Sequence, residues 1–246
     1  MSKCVVYTSA YNAEKTLQRT IDSILSQSDP NFVYYIVDNG SNDSTGKIIH
    51  RMAQSDSRII SLRNEKNNVW EPGNEWWRIM RNLHEDDLFC FLDADDIYKP
   101  YFLEQMSSYI QENNLDIAAC GNDMIDSASG NLLNIRKLST NLILEGQGFS
   151  YYFPLYHQFM RTTWAKMYRV SSLWKFTFSN AKAISYGWDT LFAIENFRNA
   201  SRIGILAISL HEYYIYKKSH SYQFANDRIQ IPTILYKAAR NFLQNK

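Results

Sequence analysis

The sequence predicts an α/β protein with a mainly parallel central sheet covered by helices on both faces. Three observations predict it. Short runs rich in Val, Ile, Tyr and Phe alternate with stretches of helical periodicity. The apolar runs are continuous rather than alternating, as strands buried on both faces require. At 246 residues with 45% hydrophobic and 21% charged side chains, the chain can bury an ample core without disulfides or metal staples.

The elements follow in order. Residues 4–9 form a first buried strand, and residues 13–27 carry Leu17, Ile21, Ile24 and Leu25 as a helical stripe. Residues 32–37 are a strand, 44–54 a helix, 58–62 a strand and 75–83 a helix. Residues 88–92 make a fourth strand, 101–113 a helix and 115–120 a fifth strand. Beyond about residue 125 the rhythm loosens. Residues 132–138 suit an edge strand, 163–170 a strand, 188–200 an amphipathic helix, 203–216 a strand pair or one long strand, and 227–243 a last helix with Pro232 in its first turns. This organisation predicts a core over residues 1–125 and a smaller region over 126–246, packed as one body.

The net charge of +1 conceals a division. Residues 1–148 sum to −8 and hold 14 aromatics, whereas residues 149–246 sum to +9 and hold 22. An anionic partner for the second part is one implication, and mutual balance of the two parts is the other. Cys4, Cys90 and Cys120 lack metal-ligand spacing and suit small core residues in a reducing compartment. No signal peptide and no apolar run long enough to span a bilayer is evident, so a cytoplasmic protein without membrane anchor or second catalytic domain is expected, at most touching the membrane surface.

Ligands of an open parallel sheet bind beyond the carboxyl ends of its strands. Three polar loops fall there: residues 8–12, 38–43 and 93–96. Asp93-Ala94-Asp95-Asp96 masses carboxylates that repel unless protons or a hard divalent cation compensate. The alternative is one helix-capping Asp with solvated neighbours. Asn39-Gly40 suits a turn, and Ser41 or Asp43 can cap the helix behind it. Asp38 is left over as an acceptor for a base N–H or a sugar hydroxyl.

Taken together, these segments resemble family 2 glycosyltransferases of the GT-A fold. The resemblance rests on Thr8 to Glu14 followed by Leu17, Ile21, Ser23-Ile24 and Gln27; on Ile36 to Thr45; on Phe91 to Asp96, similar to the family's DxD motif; on Ala165 to Arg169 and Ile184 to Phe192; and on Tyr214-Ile215-Tyr216 with Ser219 to Ser221. The resemblance implies a nucleotide-sugar donor, expected to be a UDP-sugar. Asp38 would read the base in a pocket lined around Thr8, Ser9 and Tyr11. Asp93 would lie by the ribose, Ala94 would also touch the nucleotide sugar, and Asp95, with Asp96, would hold Mn²⁺ or Mg²⁺ on the diphosphate. Asp189 would be the base of an inverting transfer. Arg78, near a family Arg, would serve the diphosphate.

The acceptor, a glycan or lipid-linked saccharide of bacterial surface polysaccharide, would meet Trp164, Tyr186 and Trp188. Lys217-Lys218 and the last helix (Lys237, Arg240, Lys246) would touch anionic lipid headgroups at a membrane surface or a lipid diphosphate, or be solvated. His211 or His220 would complete a metal shell only against the usual structural role of a lone His. Trp188 stands where the family usually has Glu. That departure motivates the alternative of a catalytically weakened nucleotide- or sugar-binding protein of the same fold. From the residues alone, Asp189 is an N-cap of the following helix. A phosphatase would place its Asp motif on the first strand rather than the fourth. A nicotinamide enzyme would show GxGxxG after the first strand, and no nucleic-acid-binding motif is present.

Overall fold

The computed structural model describes residues 3–67, 75–173, 187–217 and 229–246. The chain runs β1 (Cys4–Ala10), α1 (Leu17–Leu25), β2 (Phe32–Asp38), α2 (Thr45–Ser55), β3 (Ile59–Arg63), α3 (Glu75–Arg81), β4 (Leu88–Phe91), β5 (Ile97–Tyr98), α4 (Phe102–Glu112) and β6 (Ile117–Asp126). It continues through β7 (Leu132–Arg136), β8 (Leu142–Leu144), α5 (Gly148–Tyr151), α6 (Phe153–Tyr156), a 3₁₀ turn at His157–Met160, β9 (Lys166–Arg169), α7 (Val170–Leu173), α8 (Trp188–Asn199), β10 (Ile203–Ile215) and α9 (Ile231–Gln244).

One ten-stranded sheet organises these elements, in the order β3-β2-β1-β4-β9-β6-β10-β5, with β7 beside β6 and β8 beside β10. The four strands β3, β2, β1 and β4 run parallel, as do β6 and β10. Between them β9 is antiparallel to both β4 and β6, so a strand from the later half of the chain closes the core of the earlier half. The period of two along each strand feeds two cores. Val5, Tyr7, Phe89 and Phe91 face the layer that includes α8 and Phe242 of α9. Cys4, Val6, Leu88 and Cys90 face Leu17, Ile21 and Ile24 of α1 and Phe102 and Met106 of α4. All three cysteines are free and buried, the small core residues the sequence suggests.

Element boundaries depart from sequence periodicity where backbone groups find other partners. The first helix begins at Leu17 rather than Ala13, because Ala13 N donates to Thr45 Oγ1 at 2.7 Å and Glu14 N to Asp43 Oδ2 at 3.1 Å. The strand expected over 163–170 shortens to Lys166–Arg169 after Ala165, whose φ of 54° is left-handed. The fifth long strand, β6, runs on to Asp126 because β10 pairs along its whole length, and β10 is one strand with irregular register between Leu206 and His211. In the last helix, residues 227–228 lie outside the described residues, and α9 starts at Ile231 with Pro232 in its first turn.

Gly121 sits at that irregularity. A Cβ there would lie 2.6 Å from the Arg136 carbonyl oxygen on β7 and 3.1 Å from that of Ile208. Gly121→Ala is therefore expected to force the sheet apart locally and to cost about 1–3 kcal/mol of stability, read as a lower chemical-denaturation midpoint.

Candidate active site

The loops after β1, β2 and β4 meet at one end of the sheet. Those after β1 and β2 are stitched together. Asn39 N donates to Ala10 O and Asn39 Nδ2 to Ser9 Oγ at 2.6 Å; Asn12 N donates to Ser41 Oγ at 2.9 Å, and Asn42 N to Asn12 Oδ1 at 3.0 Å. Gly40 makes the turn possible: its φ is 73°, and a Cβ would stand 2.7 Å from the Glu65 carbonyl oxygen. Asp38 is buried at the end of β2. Its Oδ1 accepts Ser41 N at 2.9 Å, and its Oδ2 is paired with Arg63.

The acidic loop after β4 is held from outside by one stripe of α1. Thr16 Oγ1 donates to Ala94 O at 2.9 Å, Arg19 Nη2 to Asp95 O at 2.6 Å and Thr20 Oγ1 to Asp96 O at 2.9 Å. The stripe continues beyond the loop, with Gln27 Nε2 donating to Lys99 O at 2.9 Å and Leu103 N donating to Gln27 Oε1 at 3.0 Å. Arg19 also covers the Tyr214 ring and donates to Tyr216 OH at 2.9 Å.

With three backbone carbonyls occupied this way, the side chains of Asp93, Asp95 and Asp96 come together: one carboxylate oxygen from each lies within 4.8 Å of the others. Asp93 opens onto the cavity but is enclosed by the surrounding protein, Asp95 is half-buried and Asp96 fully buried. Burial pushes all three carboxyls above the usual range. Asp96, Asp95 and Asp189 add to the shift at Asp93, and Asp95 adds to that at Asp96. At Asp95, a hydrogen bond from its own backbone N–H and the charge of Arg19 oppose it. Asp96 Oδ1 accepts Tyr214 N at 2.9 Å, while its Oδ2 has no hydrogen bond among the described residues and lies 3.3 Å from His211 Nε2. His211 is itself buried with neither ring nitrogen hydrogen-bonded, and burial lowers its pKa to about 3, so it stays neutral. A cluster of hard oxygen donors with one orphaned buried oxygen fits a divalent cation such as Mn²⁺ or Mg²⁺.

Above the carboxylates lies a cavity of about 350 Å³. Its aromatic floor is Tyr7, Trp76, Phe91 and Phe192, with Trp76 stacked on Phe91 at 5.4 Å. Ser9, Leu92, Asp93, Thr163, Trp188 and Asp189 complete its lining. Asp189 lies in the first turn of α8; the residue before that helix is Gly187, with φ 83°, so Asp189 does not take the N-cap position its sequence neighbourhood suggests. Burial raises its carboxyl to about 7 against the opposing charge of Lys166. Lys166, on β9, is fully buried and donates to Thr162 O at 2.6 Å; burial lowers its pKa to about 7.

The structure thus brings Ser9, Asp93, Trp188 and Asp189 to one cavity, with Asp95 and Asp96 beside Asp93. It places other expected residues differently. Thr8 is fully buried, its hydroxyl donating to Leu92 O at 2.8 Å and bonded to Tyr34 OH at 2.9 Å, so it ties β1 to β4 beneath the site. Tyr11 is exposed beyond the cavity. Arg78 is paired with Glu75 at 2.5 Å on the exposed side of α3, away from the cavity lining. Trp164 is only 5% exposed, stacked on His211 at 4.5 Å and on Tyr213 at 5.0 Å. Buried and packed in this way, the ring is not open to a sugar, which corrects the expectation that it offers a stacking surface. Tyr186 and His220 lie outside the described residues. Composition gave no sign of the α1 stripe, of Arg63 on Asp38, or of Lys166 beside Asp189, although Thr16, Thr20, Ser23 and Gln27 recur at helical spacing.

A parallel α/β sheet with an acidic trio beyond β4 and a buried carboxylate facing it defines a GT-A fold. The chain is similar over its whole length to the S. aureus TarS 1-349 structure solved with UDP-GlcNAc, at a TM-score of 0.74 and 18% identity, covering 99% of this chain and 66% of that one. The model of glycosyl transferase family 2 matches residues 5–177, and the chain belongs to that family. Among curated relatives it is 24% identical over 211 residues to the uncharacterized glycosyltransferase EpsJ of Bacillus subtilis, covering 85% of this chain and 59% of that protein. It is 30% identical over 142 residues to the Escherichia coli UDP-Glc:alpha-D-GlcNAc-diphosphoundecaprenol beta-1,3-glucosyltransferase WfgD, covering 56% and 54%. The chain thus spans little more than half the length of these two relatives.

Because Asp189 ionises less readily folded than unfolded, it lowers stability progressively from about pH 4, where an unfolded Asp ionises, to about pH 7. Asp189→Asn is expected to be more stable than wild type above that range, the gap opening between pH 4 and 7 and then staying level. Thermal unfolding of both proteins across pH checks this. Thr20→Val leaves the Asp96 carbonyl without its donor and is expected to cost about 1–3 kcal/mol by denaturant titration.

Proposed function

We propose that the chain is an inverting, metal-dependent glycosyltransferase. It moves a sugar from a UDP-sugar to a hydroxyl of a glycan or lipid-linked saccharide, in bacterial surface polysaccharide synthesis. One observation carries the reading: Asp189, raised to about 7, and Asp93 of the acidic trio line the same aromatic-floored cavity. The family membership and the E. coli relative, whose name gives a UDP-Glc donor and a lipid-diphosphate-linked acceptor, support the substrate classes.

Asp95 and Asp96, with Asp93 beside them, would hold Mn²⁺ or Mg²⁺, which supplies positive charge to the departing diphosphate. Asp38 and Ser9, at the ends of β2 and β1, bound the region for the base and ribose. Asp189 accepts the proton of the acceptor hydroxyl as its oxygen attacks the anomeric carbon. The bond from that carbon to the diphosphate oxygen breaks, and its electron pair leaves with the nucleotide. The aromatic floor excludes water that would hydrolyse the donor. Trp188, on the cavity wall, offers a ring to the acceptor sugar. Exposed Tyr236, Lys237 and Arg240 on α9 support contact with an anionic membrane surface, as for a protein working at the cytoplasmic face. Among the described residues no helix is long and apolar enough to cross a membrane.

The reading is tested with a panel of nucleotide sugars and Mn²⁺, by thermal shift and by nucleotide release. Asp189→Asn is expected to lower transfer by about two to four orders of magnitude while retaining UDP binding. The wild-type rate is expected to rise with pH and level off above about 7 as the base loses its proton. Wild-type turnover in the variant would overturn the base assignment. Asp95→Ala is expected to lose Mn²⁺-dependent UDP binding in calorimetric titration. A wild type that binds donor but never releases nucleotide would favour the weakened binding protein.

A further inference from the structure

Around the 3₁₀ turn that leads to the cavity residue Thr163 stand two guanidinium groups, outside the cavity lining itself, for which the transfer mechanism has no use. Arg136, at the end of β7, is drawn in from solvent. Its Nε donates to Asn122 Oδ1 at 2.7 Å and its Nη1 to Gln158 O at 3.1 Å, and it lies 5.2 Å from the Trp164 ring centroid. None of these partners carries charge. Burial and the nearby Arg161 guanidinium depress its pKa to about 10, with Tyr213 and Cys120 the opposing groups. Arg161 follows the 3₁₀ turn and is exposed, and among the described residues its side chain has no hydrogen-bond or ion-pair partner. Its carbonyl lies 3.5 Å from Thr190 Oγ1, next along the chain from Asp189, and Thr163, two residues on, lines the cavity.

Lys166, its pKa lowered to about 7 by burial, adds part of a third positive charge near neutral pH, and Asp189 is the carboxylate that favours its charged form. A half-buried guanidinium beside an exposed one, neither with an acidic partner among the described residues, gains from a bound anion. Arg136 is already fixed by its hydrogen bonds, which suits it to receive phosphate oxygens without further ordering. The donor diphosphate belongs with the carboxylate trio, so this second anion enters with the acceptor.

We propose that Arg136 and Arg161 form an anion site beside Asp189 that takes a phosphate or diphosphate carried by the acceptor saccharide. This rests on the glycosyltransferase reading and adds the acceptor's charge to it.

Binding is measured by calorimetry in EDTA, which removes cation-dependent donor binding. The probes are inorganic pyrophosphate, a farnesyl-diphosphate-linked N-acetylglucosamine and the octyl glycoside of the same sugar. Wild type is expected to bind pyrophosphate and to prefer the diphosphate-linked sugar over the octyl glycoside. Arg161→Glu, at an exposed position, is expected to weaken both phosphorylated probes about tenfold or more and leave the octyl glycoside unchanged. Arg136→Lys is expected to weaken them less, because it keeps the charge and loses the fork. UDP binding with Mn²⁺ is expected to be the same in wild type and Arg161→Glu, showing that the variant is folded. No pyrophosphate binding by wild type in EDTA, or equal affinities in wild type and Arg161→Glu, overturns the proposal. If pyrophosphate binds as expected but no nucleotide sugar is turned over, the anion site stands and the transferase reading fails. Tight binding of pyrophosphate without preference between the two sugars assigns the site to free phosphate and overturns its acceptor role.

Discussion

The polar stripe of α1 is the constraint on which the site depends. A helix packed on a sheet normally turns only apolar side chains inward, and Leu17, Ile21 and Ile24 do so here. Beside them Thr16, Arg19, Thr20 and Gln27 point at backbone, and each closes a hydrogen bond to the stretch from Ala94 to Leu103. Repulsion among Asp93, Asp95 and Asp96 would spread a free loop. Bonds to the carbonyls fix the backbone without neutralising the carboxylates, so the acidic charge remains available to a ligand while the loop cannot relax away from it. From the other side, Tyr214 N holds Asp96, and Arg19 spans to Tyr214 and Tyr216. The first helix and the end of β10 are therefore locked together through the loop that carries the site's carboxylates.

The sheet order explains why the carboxylate from the later half reaches the same place. If β9 lay at an edge, Thr163 and the segment preceding it would be far from β4. Inserted between β4 and β6, β9 brings Thr163 and Lys166 against the parallel core, and α8 packs over the same face with Phe192 edge-on to Phe91 at 5.5 Å. The aromatic floor then serves both stability and chemistry. It buries large apolar area, and it gives Asp189 the low-dielectric surroundings that raise its carboxyl.

Much of this could be read from the sequence because the relevant signals are local. Strand ends followed by Asp38-Asn39-Gly40 and Asp93-Ala94-Asp95-Asp96 mark the loops directly, and the parallel alternation places them together. What escaped is non-local. No sequence window tells that Thr8 faces Leu92 O rather than a ligand, that Trp164 is buried against His211 and Tyr213, or that Ala13 and Glu14 give their N–H groups to Thr45 and Asp43 instead of to a helix. β9 was expected longer because Ala165's left-handed backbone leaves no trace in apolar periodicity. The stripe at 16, 20, 23 and 27 was visible as spacing, but hydroxyl and amide groups at that spacing suit solvent as well as buried carbonyls, and only the packed partner decides.

Trp188 gains meaning from the same electrostatics. With an acid at that position, a second carboxylate in the first turn of α8 would raise Asp189 by like-charge repulsion. Here Asp189 is the acidic residue of that turn, and burial does the raising while Lys166 opposes it. The two routes differ physically. Repulsion between carboxylates weakens when a cation or a positively charged acceptor arrives, whereas burial strengthens as a substrate fills the cavity and displaces water. A wall of indole carbon beside Asp189 thus ties its basicity to occupancy: the fuller the cavity, the more the negative carboxylate gains by taking the acceptor's proton. Loss of the neighbouring acid is, on this argument, a change in how the base is tuned rather than the removal of the base.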